Sequence, residues 1–173
     1  MYRAVALKAG RRGIADPRAI AAMAAASSIE IGDRVLLDGE DVTAEIRRPE
    51  LTAAVKPIAD SPECRAELVR LQREAGKSGG LVTEGRDQGS IVFPEADLKI
   101  CLDAALGVRA KRRHREVGGD LAEVERAIAR RDAEDRARPV GPLVKPAGAV
   151  EIDTSALTVD EVVDRILAAL RGP

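Results

Sequence analysis

Arginine is the residue type through which this chain could do chemistry. Arg131, Asp135 and Arg138 stand at i, i+4 and i+7 of one helical pattern, hence on one face. Forked guanidinium groups bind phosphate oxygens in pairs, and a neighbouring carboxylate accepts from sugar hydroxyls or base amines. An ordinary solvated ion-pair face has the same spacing. Glu84-Gly85-Arg86-Asp87 follows a short apolar run, and ligands of open α/β sheets lie beyond the carboxyl ends of strands. The same four residues also fit a simple turn. Arg109, Lys111, Arg112, Arg113 and Arg115 make a dense basic run ahead of Gly118-Gly119. That run suits a mobile lid over polyphosphate, a nucleic-acid face, or a plain solvated helix surface.

Other chemistries have little to stand on. His114 is the only histidine, which argues against His-rich metal sites and a Ser-His-Asp triad. Cys64 and Cys101 have no accompanying metal ligands and make no disulfide framework. Tyr2 and Phe93 are the only aromatics, too few for a base-stacking platform. The net charge of −1 over 173 residues argues against a general nucleic-acid or anionic-membrane binder. No apolar run approaches the ~20 residues of a membrane helix. A reducing cytoplasm is the default expectation. Gly76-Lys77-Ser78 imitates the tail of a phosphate-binding loop. Leu71 stands where that motif needs its first glycine, and the segment closes a helix instead of opening one.

The elements that must position these residues follow from periodicity. Tyr2 to Arg12 reads as a helix stopped at Gly13, and it starts without a cap, as if a segment preceded it. Asp16-Pro17 caps an Ala-rich helix reaching about Ala26. Ser28 to Ile46 changes to alternation around Asp38-Gly39, a hairpin signal. Pro49 to Ile58 reads as a short helix broken at Pro57. Ser61-Pro62 opens a helix with Cys64, Leu68 and Leu71 on one face, ended by Gly76. Leu81-Val82 reads as a strand, as do Leu98 to Asp103 and Val150 to Ile152. Leu106 to Val117 is a basic helix. Asp120 caps a long helix that turns Leu121, Val124 and Ile128 inward and stops before Pro139. Thr158 to Glu161 is a capping box for a last helix with Val162, Ile166 and Leu170 inward. Strands alternating with helices indicate an α/β fold with a parallel sheet.

Several stretches together resemble the bacterial cytidylate kinases, P-loop nucleoside monophosphate kinases. They are Tyr2-Arg3-Ala4-Val5-Ala6-Leu7 and Gly39-Glu40-Asp41-Val42 through Glu45-Ile46-Arg47. Next come Glu84-Gly85-Arg86-Asp87-Gln88-Gly89 through Pro94, and Leu98-Lys99-Ile100-Cys101-Leu102-Asp103. Arg131-Asp132 with Asp135 and Arg138, Pro142-Leu143, and Ile152-Asp153-Thr154-Ser155 complete the set. The resemblance implies transfer of the ATP γ-phosphoryl group to CMP or dCMP, with Mg²⁺. It implies that Arg3, Arg86 and Arg138 hold the acceptor phosphate, with Arg86 and Arg131 the residues closest to catalysis. Arg65 and Asp87 would read the cytosine edge, and Arg131 and Asp135 would meet the sugar. Arg109, Arg112 and Arg113 fall in the lid that meets ATP. The fold implied is a three-layer parallel-sheet core with a small β-rich insert and an arginine-rich lid. Residues 1–26 would lead into the insert, 27–60 would form it, and 61–173 would form the core, with the lid around 109–120. A full-length member would be a monomer without nucleic-acid or membrane partners.

The departures are as specific as the matches. The family's opening strand, P-loop, helix and second strand have no counterpart, nor does its serine before the Tyr-Arg pair. Lys56 stands at a second family serine, Gln88 at an aliphatic position, and Glu84 where Asp is common. The missing first strand would lie between Leu81–Thr83 and Leu98–Leu102, leaving orphan backbone groups at roughly 1–3 kcal/mol each when buried. The expectation is a truncated kinase, from a misplaced start codon, that binds ATP poorly and turns over little, if at all. An inactive nucleotide- or partner-binding fragment and an RNA-binding basic helix are the alternatives. CMP against UMP stays open because of Lys56.

Overall fold

The computed structural model describes residues 1–172, residue 78 by its backbone alone. The chain divides into two units, Met1–Val82 and Thr83–Pro173. The first runs α1 (Tyr2–Arg12), α2 (Pro17–Ala25), β1 (Ile29–Ile31), β2 (Val35–Leu37), β3 (Glu40–Asp41), α3 (Glu50–Asp60) and α4 (Pro62–Ala75). Its helix ends follow local sequence. Gly13 takes the left-handed conformation at φ 63°, and the Ile14 N–H closes onto the Ala9 carbonyl at 3.0 Å. Asp16 accepts from the Ala19 N–H at 2.8 Å, and Ser61 accepts from the Cys64 N–H at 3.1 Å. The helices enclose an aliphatic core of Val5, Ala9, Ile20, Met23, Ile58 and Leu68, with Tyr2 packed against it.

The three strands form an antiparallel sheet in sequence order. Asp38 and Gly39 connect β2 to β3 with φ of 52° and 85°, a type I′ turn whose twist suits a hairpin. Asp38 is held there by Lys8 of α1. The buried Lys8 ammonium donates to the Ser27 hydroxyl at 2.7 Å and contacts the Asp38 carboxylate at 2.5 Å. That hydrogen bond, ahead of one from the Ser28 N–H, holds the Asp38 carboxyl below the usual carboxylate range.

The second unit contains β4 (Ile100–Asp103), α5 (Leu106–Val117), α6 (Leu121–Ala137), β5 (Val150–Asp153) and α7 (Val159–Arg171). Strands β4 and β5 are parallel, with Ile100 opposite Val150 and Asp103 opposite Asp153. Helices α5 and α6, packed on each other, form part of the crossover between them. The Thr154 N–H and hydroxyl both donate to the Asp103 carbonyl, at 2.8 and 3.0 Å, locking the carboxyl ends of the strands together. The expected capping box at Thr158 and Glu161 forms in full. An α/β class with a parallel sheet is therefore observed.

Four expectations need correction. Leu81–Thr83 is not a strand: Val82 is 96% exposed, and among the described residues no strand pairs with this segment, so its backbone has no ladder to join. Helix α3 continues through Pro57 to Asp60. The carbonyl that proline leaves without a helical donor belongs to Ala53, which is exposed and can be hydrated. On α6 Leu121 is exposed, and the buried side chains are Asp132 and Asp135. On α7 Val162 and Ile166 are only half-buried and Leu170 is 64% exposed. Among the described residues no helix is long and apolar enough to cross a membrane.

Candidate active site

The site is built on the buried face of α6. Asp132 and Asp135, three residues apart, lie on one side of that helix, and guanidinium groups from three segments converge on them. Arg86, from the loop after Thr83, places one nitrogen 3.0 Å from Asp135 Oδ2 and another 3.8 Å from Asp132 Oδ1. Arg138 reaches Asp135 Oδ1 at 3.0 Å from one turn below. Arg131 approaches Asp135 Oδ2 at 3.9 Å, with a side chain 69% exposed. Arg109 of α5 donates to Asp132 Oδ2 at 2.5 Å and, through Nε, to the Ala104 carbonyl at 2.9 Å just beyond β4. Four guanidinium groups thus gather around two carboxylates, leaving cationic donors in excess.

Asp135 has an unusual feature. Its side chain is 6% exposed, and Oδ2 is buried without a directed hydrogen bond. Arg86 lies within 3.0 Å of that oxygen, so the charge attraction is large while the donor direction is wrong. A buried acceptor with an unused lone pair beside cations is where a ligand hydroxyl would dock.

The loop carrying Arg86 is shaped by its own sequence. Gln88–Val92 forms one π-helical turn, started by the Asp87 carbonyl, which accepts from the Ile91 and Val92 N–H groups at 2.9 and 3.2 Å. Such turns recur at functional sites. Gly89 is required by packing: a Cβ would meet Pro146 Cγ at 2.9 Å and Lys99 Cγ at 3.2 Å. At Gly85 a Cβ would meet Gln88 Cγ at 2.8 Å, so a larger residue there would have to displace a side chain of the same loop. The Leu143 N–H donates to the Asp135 carbonyl at 2.8 Å, which pins the following loop to the end of α6.

The structure brings together Arg86, Arg131, Asp135 and Arg138, and joins Arg109 to them through Asp132. Arg112 stands apart, at the end of β5. It donates to the Thr154 hydroxyl at 3.0 Å and the Thr154 carbonyl at 2.5 Å. Arg113 pairs with Glu116 at 2.8 Å on the surface of α5. Asp87 contributes its carbonyl to the π turn. Arg3 and Arg65 belong to the first unit. Arg3 donates to the Ile46 carbonyl at 2.8 Å and the Thr52 hydroxyl at 3.0 Å. Arg65 is buried and donates to the Ala59 carbonyl at 3.3 Å. Gly76–Ser78 is one 3₁₀ turn at the carboxyl end of α4, where carbonyls rather than amides project. Asp132 has no role among those the sequence implies, although its i, i+3 relation to Asp135 is a signal for one.

An arginine cluster beside the carboxyl end of a parallel strand pair, in an α/β fold, stands where such sheets bind ligands and carries the residue type that suits phosphate. The chain belongs to the cytidylate kinase family, whose model matches residues 1–172. It is 46% identical to the cytidylate kinase of Symbiobacterium thermophilum, over 99% of this chain and 81% of that protein. It is 44% identical to that of Chromobacterium violaceum, over 96% of this chain and 79% of the relative. A cytidylate kinase of Desulfitobacterium hafniense is 45% identical over 97% and 77% of the two chains.

Proposed function

We infer that the chain transfers the γ-phosphoryl group of ATP to CMP or dCMP, giving CDP or dCDP. The observation that carries this reading is the convergence of Arg86 and Arg138, 52 positions apart, on opposite oxygens of Asp135. Phosphoryl transfer asks for alignment and positive charge on the equatorial oxygens more than for covalent help. The acceptor phosphate is close to a dianion at neutral pH, so its oxygen attacks without a general base. Arg86 and Arg138 hold that phosphate. Asp135 Oδ2, buried and without a directed donor, takes a sugar hydroxyl, with Arg131 beside it. Asp87 meets the cytosine edge. Arg3 and Arg65 keep the phosphate and cytosine roles that the family resemblance gives them.

The donor side rests on α5. A cavity of about 350 Å³ is lined by Val108, Lys111, Arg112, Arg115, Ser155 and Leu157. It is an open depression, and Lys111 and Arg115 give it cations that suit a polyphosphate. Arg109 and Arg113 are not among its lining residues: Arg109 turns to Asp132 and Arg113 pairs with Glu116. Mg²⁺ enters as part of the MgATP substrate. Among the described residues no three His, Cys, Asp or Glu form a ligand group, and Mg²⁺ commonly rests on phosphate oxygens and water. The parallel pair β4–β5 is read as part of the layered P-loop kinase core, and β1–β3 as its acceptor-side insert.

The test compares ligands that differ by one phosphate. Titration calorimetry of CMP and cytidine, run beside ATP-dependent CDP formation, reads both recognition and reaction. Arg138→Ala is expected to weaken CMP by at least tenfold and cytidine by less than twofold. Equal losses for both ligands, or CDP formation absent at high enzyme concentration, refute the assignment.

A further inference from the structure

Asp132 lies between two cations that belong to different parts of the proposed site. Its Oδ2 accepts from Arg109 of α5, and its Oδ1 lies 3.8 Å from Arg86 of the acceptor loop. Its side chain is 10% exposed, so water competes weakly for either contact. Arg109 is held at a second point as well, where Nε donates to the Ala104 carbonyl at 2.9 Å. Two fixed points on one planar group set its position and its tilt. Arg86 has its own anchor in Asp135 at 3.0 Å and therefore depends on Asp132 only in part.

We propose that Asp132 is a positioning residue that presents the Arg109 guanidinium to the phosphates, holding it in fixed register with Arg86 across one carboxylate. This rests on the reading of Arg86 as an acceptor-phosphate ligand and of α5 as the donor side. Asp132 does not touch substrate in this scheme. It acts through Arg109, whose remaining terminal nitrogen is kept aimed by the other two. A guanidinium released from Asp132 keeps its charge, but with one anchor left its Ala104 bond opens more often and the group swings on its side-chain torsions. Misplacement of such a group by about 1 Å costs up to 100-fold in rate.

The experiment uses Asp132→Asn, which keeps the side-chain shape, together with Asp132→Glu, Arg109→Lys and the double variant Asp132→Asn/Arg109→Lys. CMP affinity is expected to stay within twofold of the parent for all of them, because Arg86 and Arg138 keep Asp135. The rate of CDP formation is expected to fall at least tenfold in Asp132→Asn and in Arg109→Lys, with partial recovery in Asp132→Glu. The double variant is expected to be no slower than the slower single one. In nuclear magnetic resonance spectra the Arg109 Nε–H should exchange with water at least tenfold faster in Asp132→Asn, and this holds whether or not the chain turns over. Unchanged Nε–H exchange, or additive rate losses, overturn the proposal. Failure of the parent itself to bind CMP or form CDP refutes the functional reading instead. If Asp132→Asn does not fold, Arg109→Lys alone carries the test: an unaltered rate overturns it.

Discussion

Asp135→Asn isolates the charge that holds the arginine cluster. The replacement keeps the volume of the side chain and removes one negative charge that is 6% exposed. Arg86 and Arg138 each lie 3.0 Å away, and at an effective dielectric near 20 each such pair is worth about 5.5 kcal/mol of gross attraction. Desolvation of the carboxylate cancels several kcal/mol of this. Arg86 is 35% exposed and Arg138 16%, so water recovers more for the first than for the second. A net loss of about 2 kcal/mol remains, which for a unit of this size lowers Tm by roughly 10 °C. Thermal unfolding followed by circular dichroism measures it. A second arm tests the cause. Guanidinium groups without their resident anion should welcome another, so inorganic phosphate should raise the Tm of Asp135→Asn more than that of the parent. CMP should gain less from the change than inorganic phosphate does, because its sugar loses the charged acceptor. A Tm change below about 2 °C with equal phosphate shifts in both proteins would show that the cluster does not depend on this carboxylate.

Two further outcomes concern the first unit. Leu68 is fully buried in the aliphatic core, so Leu68→Ala should destabilise that unit by about 3 kcal/mol in urea unfolding; a loss under 1 kcal/mol would mean that the site collapses without a cavity. Lys8 holds the folded Asp38 carboxyl below its unfolded value near 4, so its stabilisation is complete above that value and is lost as pH falls through the lower folded one. Asp38→Asn tolerates the same left-handed backbone and lacks the charge. The stability gap between parent and variant in urea titrations should therefore be widest near pH 7 and close toward pH 3; a gap constant across that range contradicts the Lys8 pairing.

Local chemistry was the legible part of the sequence. Asp16-Pro17, Ser61-Pro62, Asp120 and the Thr158 box each mark a helix start through one side-chain acceptor, and Asp38-Gly39 marks a hairpin through backbone freedom alone. Such signals need no distant partner. Leu81–Thr83 failed as a strand because a strand is defined by its neighbour, which composition does not reveal. The apolar character of Leu121 points inward, yet α6 buries carboxylates, since cations from α5 and the Arg86 loop cover that face. The i, i+4, i+7 spacing placed Arg131, Asp135 and Arg138 together because one helix carries all three. It gave no hint that Arg86 and Arg109 would join them, since both come from elements folded onto α6 from far along the chain. Arg112 shows the converse. Its donors close the Asp103–Thr154 junction, a contact that its charge and its place in a basic run do not announce.

Tyr2 packs on the aliphatic core of the first unit, and the chain has no tryptophan and no other tyrosine. Ultraviolet emission from the native protein therefore originates in one helix, while the half that carries the arginine cluster is optically silent apart from Phe93. Loss of tyrosine fluorescence on heating reports the melting of Met1–Val82 alone, and far-ultraviolet dichroism reports both halves. Recording the two signals on one unlabelled sample thus shows whether the halves unfold in a single step or in succession, with no engineered probe.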